Sequence, residues 1–116
     1  MKVSRGDVVL VNYPFSDGTG SKVRPALVVQ ADALNLRIDD TILVSISRST
    51  HRASPTQLFI DIATTEGAAS GLRMNSMVQC ENLLTHDQGL ILVKLGRLSP
   101  ALLQQVTFCL KAALDI

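Results

Sequence analysis

The stretch DVVLVNYPFSDGTGSKVRPALVVQ, from Asp7 to Gln30, carries the clearest structural signal in this chain. It contains two valine-rich runs, Asp7–Tyr13 and Ala26–Gln30, each bounded by a proline. Short runs rich in β-branched residues have the length and composition of β-strands. The loop between them holds two glycines, which adopt the positive φ angles of turns without steric cost. The stretch therefore predicts two strands joined by a flexible polar loop.

Runs of the same character recur along the rest of the chain. We predict four further strands, at Thr41–Ser47, Gln57–Ile62, Ser76–Glu81 and Leu90–Leu95. Six short strands in so small a chain predict a strongly curved antiparallel sheet or barrel. Residues 66–75, which include two glycines, are expected to be irregular or to form one short helical turn.

The C-terminal part of the chain has a helical pattern. Ser99 is a typical N-cap, and Pro100 suits the first helical position. An apolar stripe then recurs at helical spacing through Leu102, Val106, Cys109, Leu110 and Ala113. These features predict a helix from Pro100 to about Leu114. Because Leu103 and Leu114 widen its apolar face, the helix is also a candidate for an oligomer interface.

Composition limits the class of protein. The chain has 116 residues, 47% of them hydrophobic and 18% charged, with a formal net charge of +1. This size predicts one domain over residues 1–116, and the composition excludes an intrinsically disordered chain. No apolar run reaches the ~18 residues of a membrane span. The N-terminus turns polar before the apolar segment of a signal peptide, so we expect a cytoplasmic protein with no membrane partner.

Cysteine and histidine spacing predicts neither a metal site nor another cofactor. Cys80 and Cys109 lie far apart in apolar surroundings and form no CxxC pair. We interpret them as two buried, reduced thiols. His51 and His86 have no partner at metal-ligand spacing, which argues against zinc chemistry.

Positive charge is concentrated in two segments that contain no acidic residue. Residues 18–31 and residues 41–57 contribute Lys22, Arg24, Arg48, His51 and Arg52. If the fold brings the two segments together, a nearly neutral chain carries a positive groove. Alternatively, these side chains are solvated on separate loops.

Several blocks, taken in order, resemble the MazF/PemK family of type II toxin–antitoxin toxins. The first comprises Gly6-Asp7 followed by Arg24-Pro25-Ala26-Leu27-Val28-Val29. An apolar strand that ends in a hydroxyl residue, Ile42–Ser47, forms the second block. The third is Ser76–Asn82, followed by Leu95-Gly96-Arg97-Leu98-Ser99 and the final helix. The resemblance covers nearly the whole chain.

This resemblance implies a mainly β fold, a small SH3-like β-barrel of the CcdB/MazF-like kind with a C-terminal α-helix. It implies a homodimer that cuts single-stranded RNA or mRNA at short sequences without a metal. The expected products carry a 2′,3′-cyclic phosphate and a 5′-hydroxyl. A cognate antitoxin protein is expected to block the same surface with an extended or helical segment.

The resemblance also identifies candidate site residues. Arg24 and Ser47 are the expected catalytic residues: a guanidinium offers a planar fork of donors to phosphate oxygens, and a hydroxyl donates one hydrogen bond. Residues expected to contact RNA are Lys22, Arg48, His51, Arg52, Glu81 and Asn82. This chain departs from many relatives in having serine rather than threonine at position 47, and a shorter loop before Arg24.

Other interpretations of these residues stay open. Arg24 could pair with Asp7 or Glu81, and Glu81 could instead orient Arg24 for catalysis. His51 is either a proton shuttle or a surface histidine. Tyr13 and Phe15 either stack on RNA bases or pack in the core.

Two alternative functions remain. The first is a non-catalytic toxin resembling CcdB that traps gyrase; the chain lacks the aromatic C-terminus expected for that mode. The second is an attenuated relative that binds antitoxin or RNA but cleaves poorly, which the departures at Ser47 and in the loop would explain.

Overall fold

A computed structural model describes residues 1–50 and 54–116 of the chain. All six strands belong to one antiparallel sheet, in the order β4-β5-β3-β2-β1-β6. Their bounds are β1 Asp7–Pro14, β2 Ser21–Val28, β3 Asp40–Ser47, β4 Gln57–Ile60, β5 Ser76–Asp87 and β6 Val93–Arg97. The sheet is curled, and with its C-terminal helix it confirms the predicted mainly β architecture.

The described residues also form three α-helices: α1 Asp32–Arg37, α2 Thr65–Ala69 and α3 Pro100–Leu114. Helix α3 confirms the prediction, because the Ser99 hydroxyl accepts a hydrogen bond from the Leu102 N–H at 3.2 Å and Pro100 follows the cap. Helix α2 is the short turn expected within residues 66–75. Helix α1 was not predicted from the sequence, since six residues give too short a pattern to recognise.

Strand β2 begins at Ser21, five residues before the predicted Ala26. The cause is the hairpin register, which pairs Pro14 with Ser21 and Leu10 with Pro25. A proline inside a strand cannot donate to a neighbouring strand. Pro25 is tolerated because the β2–β3 pairing begins only at Ala26.

The predicted ends of β5 and β6 also differ from the structure. Strand β5 continues past Glu81 to Asp87, because an irregularity lets Val44 pair with Leu83 while Ser45 pairs with Gln79. Strand β6 starts at Val93 rather than Leu90, because residues 88–90 form a 3₁₀ turn.

The sheet separates two hydrophobic cores. The main core lies beneath α3 and includes Val8, Leu27, Val44, Ile46, Val78, Cys80, Leu98, Val106 and Cys109. The second core lies on the opposite face and includes Val9, Val11, Tyr13, Ala26, Val28, Leu43 and Ile91. Residues of β1, β2 and β3 therefore alternate between two packed faces, and buried side chains hold the central strands from both sides.

Both cysteines are buried free thiols, as predicted. Burial raises the pKa of Cys80 to about 12 and also raises that of Cys109. The thiols therefore keep their protons at neutral pH. No helix in the described part of the chain is long and apolar enough to cross a membrane.

Candidate functional site

The candidate site lies where β2 and β3 separate. Their paired section ends at Ala26 and Ser45. Arg24 on β2 and Ser47 on β3 each lie two residues beyond this paired section. Beyond that section the structure contains a cavity of about 600 Å³, which we call the large cavity.

Positive side chains surround this cavity over an apolar floor. Four cationic residues line it: Lys22, Arg24, Arg48 and Arg73. The floor includes Leu10, Ile46, Leu72, Met74 and Leu95. No described lining residue is acidic, so the cavity favours an anionic ligand. Arg48 also donates to the thioether sulfur of Met74 at 3.5 Å, which links this cation to the apolar floor.

Neither carboxylate considered as a partner for Arg24 reaches it. The Asp7 carboxylate pairs with Arg97 at 2.8 Å and with Lys94 at 3.2 Å. The Glu81 carboxylate accepts hydrogen bonds from Thr56 at 2.8 Å and from Gln57 at 2.6 Å. Within the described residues, the Arg24 guanidinium has no ion-pair or hydrogen-bond partner and keeps its donors for a ligand.

The hydroxyl of Ser47 is oriented by its own turn. The Ser49 N–H donates to the Ser47 Oγ at 3.1 Å. Because this bond uses a lone pair of the oxygen, the hydroxyl proton stays available for donation to a ligand oxygen. Ser47 is partly exposed and lines the large cavity beside Arg48.

A second cavity of about 280 Å³, which we call the small cavity, adjoins the first through Arg24. Its wall includes Tyr13, Phe15, Asp17, Ser45 and Asn82. Tyr13 is buried in the second core, which contradicts its alternative role in base stacking. Phe15 is partly exposed at the cavity and remains a stacking candidate.

The structure brings together most of the predicted site residues that it describes. Lys22, Arg24, Ser47 and Arg48 line the large cavity, and Asn82 lines the small one. Glu81 lines neither cavity, so its contact with RNA stays a prediction. His51 and Arg52 lie outside the described residues.

Sequence reasoning missed Arg73. This residue follows α2 in a segment expected to be irregular, and no local pattern connects it with Arg24. Its position depends on the path of residues 71–74 along the cavity. Among the described residues, no three His, Cys, Asp or Glu side chains lie close enough to hold a metal ion.

Comparison with known proteins agrees with this architecture. The family model of PemK-like, MazF-like toxins of type II toxin–antitoxin systems matches residues 4–114. A mycobacterial endoribonuclease, solved in complex with its cognate antitoxin, superposes with a TM-score of 0.80 at 23% identity, covering 98% of this chain and 96% of that chain.

Two further solved structures share the fold. The Mycobacterium tuberculosis toxin MazF-mt6 has a TM-score of 0.75 at 20% identity, over 97% of this chain and 98% of that chain. MazF in a MazE-MazF structure from Deinococcus radiodurans has a TM-score of 0.73 at 17% identity, over 100% of this chain and 98% of that chain.

Proposed function

The chain belongs to the PemK-like, MazF-like toxin family of type II toxin–antitoxin systems, and we propose that it is a sequence-selective endoribonuclease that cleaves single-stranded mRNA in the cytoplasm. The observation that carries this proposal is that Arg24 and Ser47 line the same cationic cavity. The endoribonuclease activity of the mycobacterial neighbour supports the same assignment.

RNA supplies its own nucleophile for this reaction. The 2′-oxygen attacks the adjacent phosphorus, the bond from phosphorus to the 5′-oxygen breaks, and a 2′,3′-cyclic phosphate forms. The proton lost by the 2′-hydroxyl is balanced by the proton gained by the departing 5′-oxygen. The protein must stabilise the extra negative charge on the phosphoryl oxygens between these two events.

Arg24 and Ser47 suit that task. The guanidinium of Arg24, which no other described residue pairs with, presents two parallel N–H donors to two phosphoryl oxygens. Ser47 adds one O–H donor, and Lys22, Arg48 and Arg73 attract the flanking phosphates. We assign the proton transfers to none of these residues; a role for His51 in them remains a prediction.

Metal independence follows from the same proposal, because four cationic side chains supply the positive charge that a metal ion would otherwise provide. We expect the purified protein to cut a long single-stranded RNA in excess EDTA and to leave 5′-hydroxyl ends, mapped by end-specific ligation. Loss of cleavage in EDTA and its recovery with Mg²⁺ would show that the mechanism is wrong. Absence of cleavage under both conditions would contradict the ribonuclease assignment itself.

The proposed partners are a cognate antitoxin and a second copy of this chain. Neighbours of the same fold have been solved with an antitoxin or with MazE, which supports the first partner. Large apolar side chains remain exposed at the end of the chain, among them Phe108, Leu114 and Ile116. These side chains support a homodimer, since exposed apolar surface is often an interface.

A further inference from the structure

The small cavity has the size and position of a subsite for one unit of a polymer. Its volume of about 280 Å³ lies just below the range for small-molecule pockets. Arg24 lines both cavities. A nucleotide whose phosphate lies at Arg24 can therefore place its base in the small cavity.

Phe15 provides an aromatic wall for such a base. Its position is fixed by a closed turn, in which the Phe15 N–H donates to the Gly20 carbonyl at 2.8 Å and the Gly18 N–H donates to the Phe15 carbonyl at 3.0 Å. The ring lies next to Gly20, where a side chain would come within 3.7 Å of it. A partly exposed ring held in this way can stack on a base of any sequence.

The amide of Asn82 has a defined orientation at the same cavity. The Tyr13 hydroxyl lies 2.7 Å from the Asn82 main-chain oxygen and 3.2 Å from its side-chain Oδ1, and donates toward both. Within the described residues, the amide nitrogen Nδ2 has no hydrogen-bond acceptor. The nitrogen is therefore the part of the amide that remains for a ligand, and it is a donor only.

The hydroxyl that orients Asn82 is a stable donor. Burial raises the pKa of Tyr13 to about 12, so its phenol keeps its proton throughout the neutral and mildly alkaline range. Ser45, on another wall, already donates its own proton to Gln79 Oε1 at 2.7 Å. The Ser45 hydroxyl therefore does not offer a second donor to a ligand.

Asp17 is a charged acceptor that lines the small cavity. Its Oδ1 accepts from the Thr19 N–H at 2.9 Å and from the Thr19 hydroxyl at 2.7 Å, and these bonds lower the pKa of the Asp17 carboxyl. The carboxylate is thus ionised and hydrogen-bonded within its own loop. We expect it to weaken RNA binding overall rather than to select a base.

We infer that the small cavity binds one base of the RNA, and that Asn82, oriented by Tyr13, selects a base with a carbonyl at position 6 of a purine or position 4 of a pyrimidine, which is guanine or uracil. This inference rests on the proposed ribonuclease function and adds to it a specificity-determining residue, Asn82, and a positioning residue, Tyr13. Adenine and cytosine present an amino group in place of that carbonyl, which leaves two donors facing each other.

The test uses the full chain and RNAs that differ at one nucleotide. Relative kcat/KM is measured for all four bases at each position of the mapped cleavage site. Binding of the same set as uncleavable 2′-O-methyl RNA is measured in parallel. In the wild-type protein, one position should prefer guanine or uracil over adenine or cytosine by about tenfold in both assays.

Three variants define the source of that preference. Asn82→Asp replaces the donor with an acceptor of the same shape and should reverse the preference at that single position. Tyr13→Phe should reduce it below threefold without changing the other positions. The control Asn12→Asp makes the same charge change at the residue next to Tyr13 in β1, whose side chain faces the other side of the sheet. This variant should leave every preference unchanged.

Each remaining outcome contradicts a named part of the inference. The role of Asn82 is overturned by any one of three results. These are an unchanged preference in Asn82→Asp, a wild-type preference for adenine or cytosine, and a reversal caused by Asp17→Asn. A full preference in Tyr13→Phe overturns the positioning role. If the wild-type protein binds 2′-O-methyl RNA with the expected preference but cleaves no RNA, the proposed function fails and the base subsite stands; absence of any RNA binding overturns both.

Discussion

At the scale of single residues, the candidate site depends on an arginine whose donors no other described residue uses. Asp7 and Glu81 are both engaged elsewhere, Asp7 with Arg97 and Lys94, and Glu81 with Thr56 and Gln57. An arginine beside a carboxylate would lose part of its positive potential. Because neither carboxylate pairs with Arg24, neither reduces its positive potential as an ion-pair partner would.

Arg24→Lys should therefore reduce activity strongly, although it keeps the charge. A lysine ammonium replaces a planar fork with a point charge, and we expect a loss of ~10²–10³-fold in kcat, similar to removal of one preorganised donor. The measurement is single-turnover cleavage of one labelled RNA. Arg37→Lys, at the exposed end of α1, is the matched control and should keep full activity. Full activity in Arg24→Lys would exclude the two-donor interaction with phosphate.

Ser47 allows a test of one hydroxyl. Ser47→Ala should lower the cleavage rate by about ten- to a hundredfold, since a hydrogen bond to a charged group contributes about 1.5–3 kcal/mol. Ser47→Thr keeps the hydroxyl and should remain within threefold of the wild-type rate. Circular dichroism should be the same for both variants. Equal rates for Ser47→Ala and the wild type would remove Ser47 from the reaction.

At the scale of secondary-structure elements, the segment after α2 and strand β6 approach so closely that only glycine fits. A Cβ atom at Gly96 would lie 2.4 Å from the Ala69 carbonyl oxygen, and one at Gly71 would lie 2.1 Å from the Leu95 carbonyl oxygen. Both obstructing atoms belong to the backbone, which cannot move aside as a side chain can. This crossing fixes the path that brings Arg73 to the large cavity.

Gly96→Ala should consequently destabilise the fold by about 3 kcal/mol, the upper part of the range for overpacking. Urea denaturation followed by circular dichroism measures the change. Gly89→Ala is the control, because its nearest obstruction is the Asp87 side chain at 3.2 Å, and it should cost less than ~1 kcal/mol. Equal stability of Gly96→Ala and Gly89→Ala would show that the crossing adapts easily.

The same elements show what the sequence can predict. Strands β1 and β3 and helix α3 lie at their predicted positions to within one residue, because their patterns and caps are local. The start of β2 depends instead on the hairpin register, and the end of β5 depends on the irregularity opposite Val44. Both depend on pairing between distant residues, which composition and periodicity do not record.

The candidate site, like the fold, could be predicted from the sequence only in part. The resemblance to the toxin family identified Arg24 and Ser47, and the absence of acidic residues in two segments identified Lys22 and Arg48. Arg73 was missed, because only the crossing of residues 71–74 brings it to the cavity. The orientation of Asn82 by Tyr13 joins residues far apart in sequence, and neither residue indicates it alone.

At the scale of the whole molecule, the positive surface of the large cavity should serve two ligands. RNA and an acidic antitoxin segment are both extended anions, and a cationic cavity does not distinguish them by charge. We therefore expect competition. Labelled, uncleavable RNA titrated with a purified antitoxin peptide should be displaced, and a ternary complex with unchanged RNA affinity would contradict the shared site.

Variants of exposed cations extend this competition experiment. Arg48→Glu should weaken the binding of RNA and antitoxin together. Removing one cation from a phosphate of single-stranded RNA should make the slope of log affinity against log salt shallower by about 0.7. Lys111→Glu, in the last turn of α3, makes the same charge change away from both cavities and should affect neither ligand.

The first and last strands of the sheet, β1 and β6, are neighbours. Asp7, in the first strand, binds Arg97 in the last strand, and the Leu98 N–H donates to the Gly6 carbonyl at 2.9 Å. Synthesis is vectorial, so residues 93–114 leave the ribosome after every other strand has emerged. The core beneath α3 can close only then. The edge of β1 that binds β6 therefore has no strand to pair with until β6 has been synthesised.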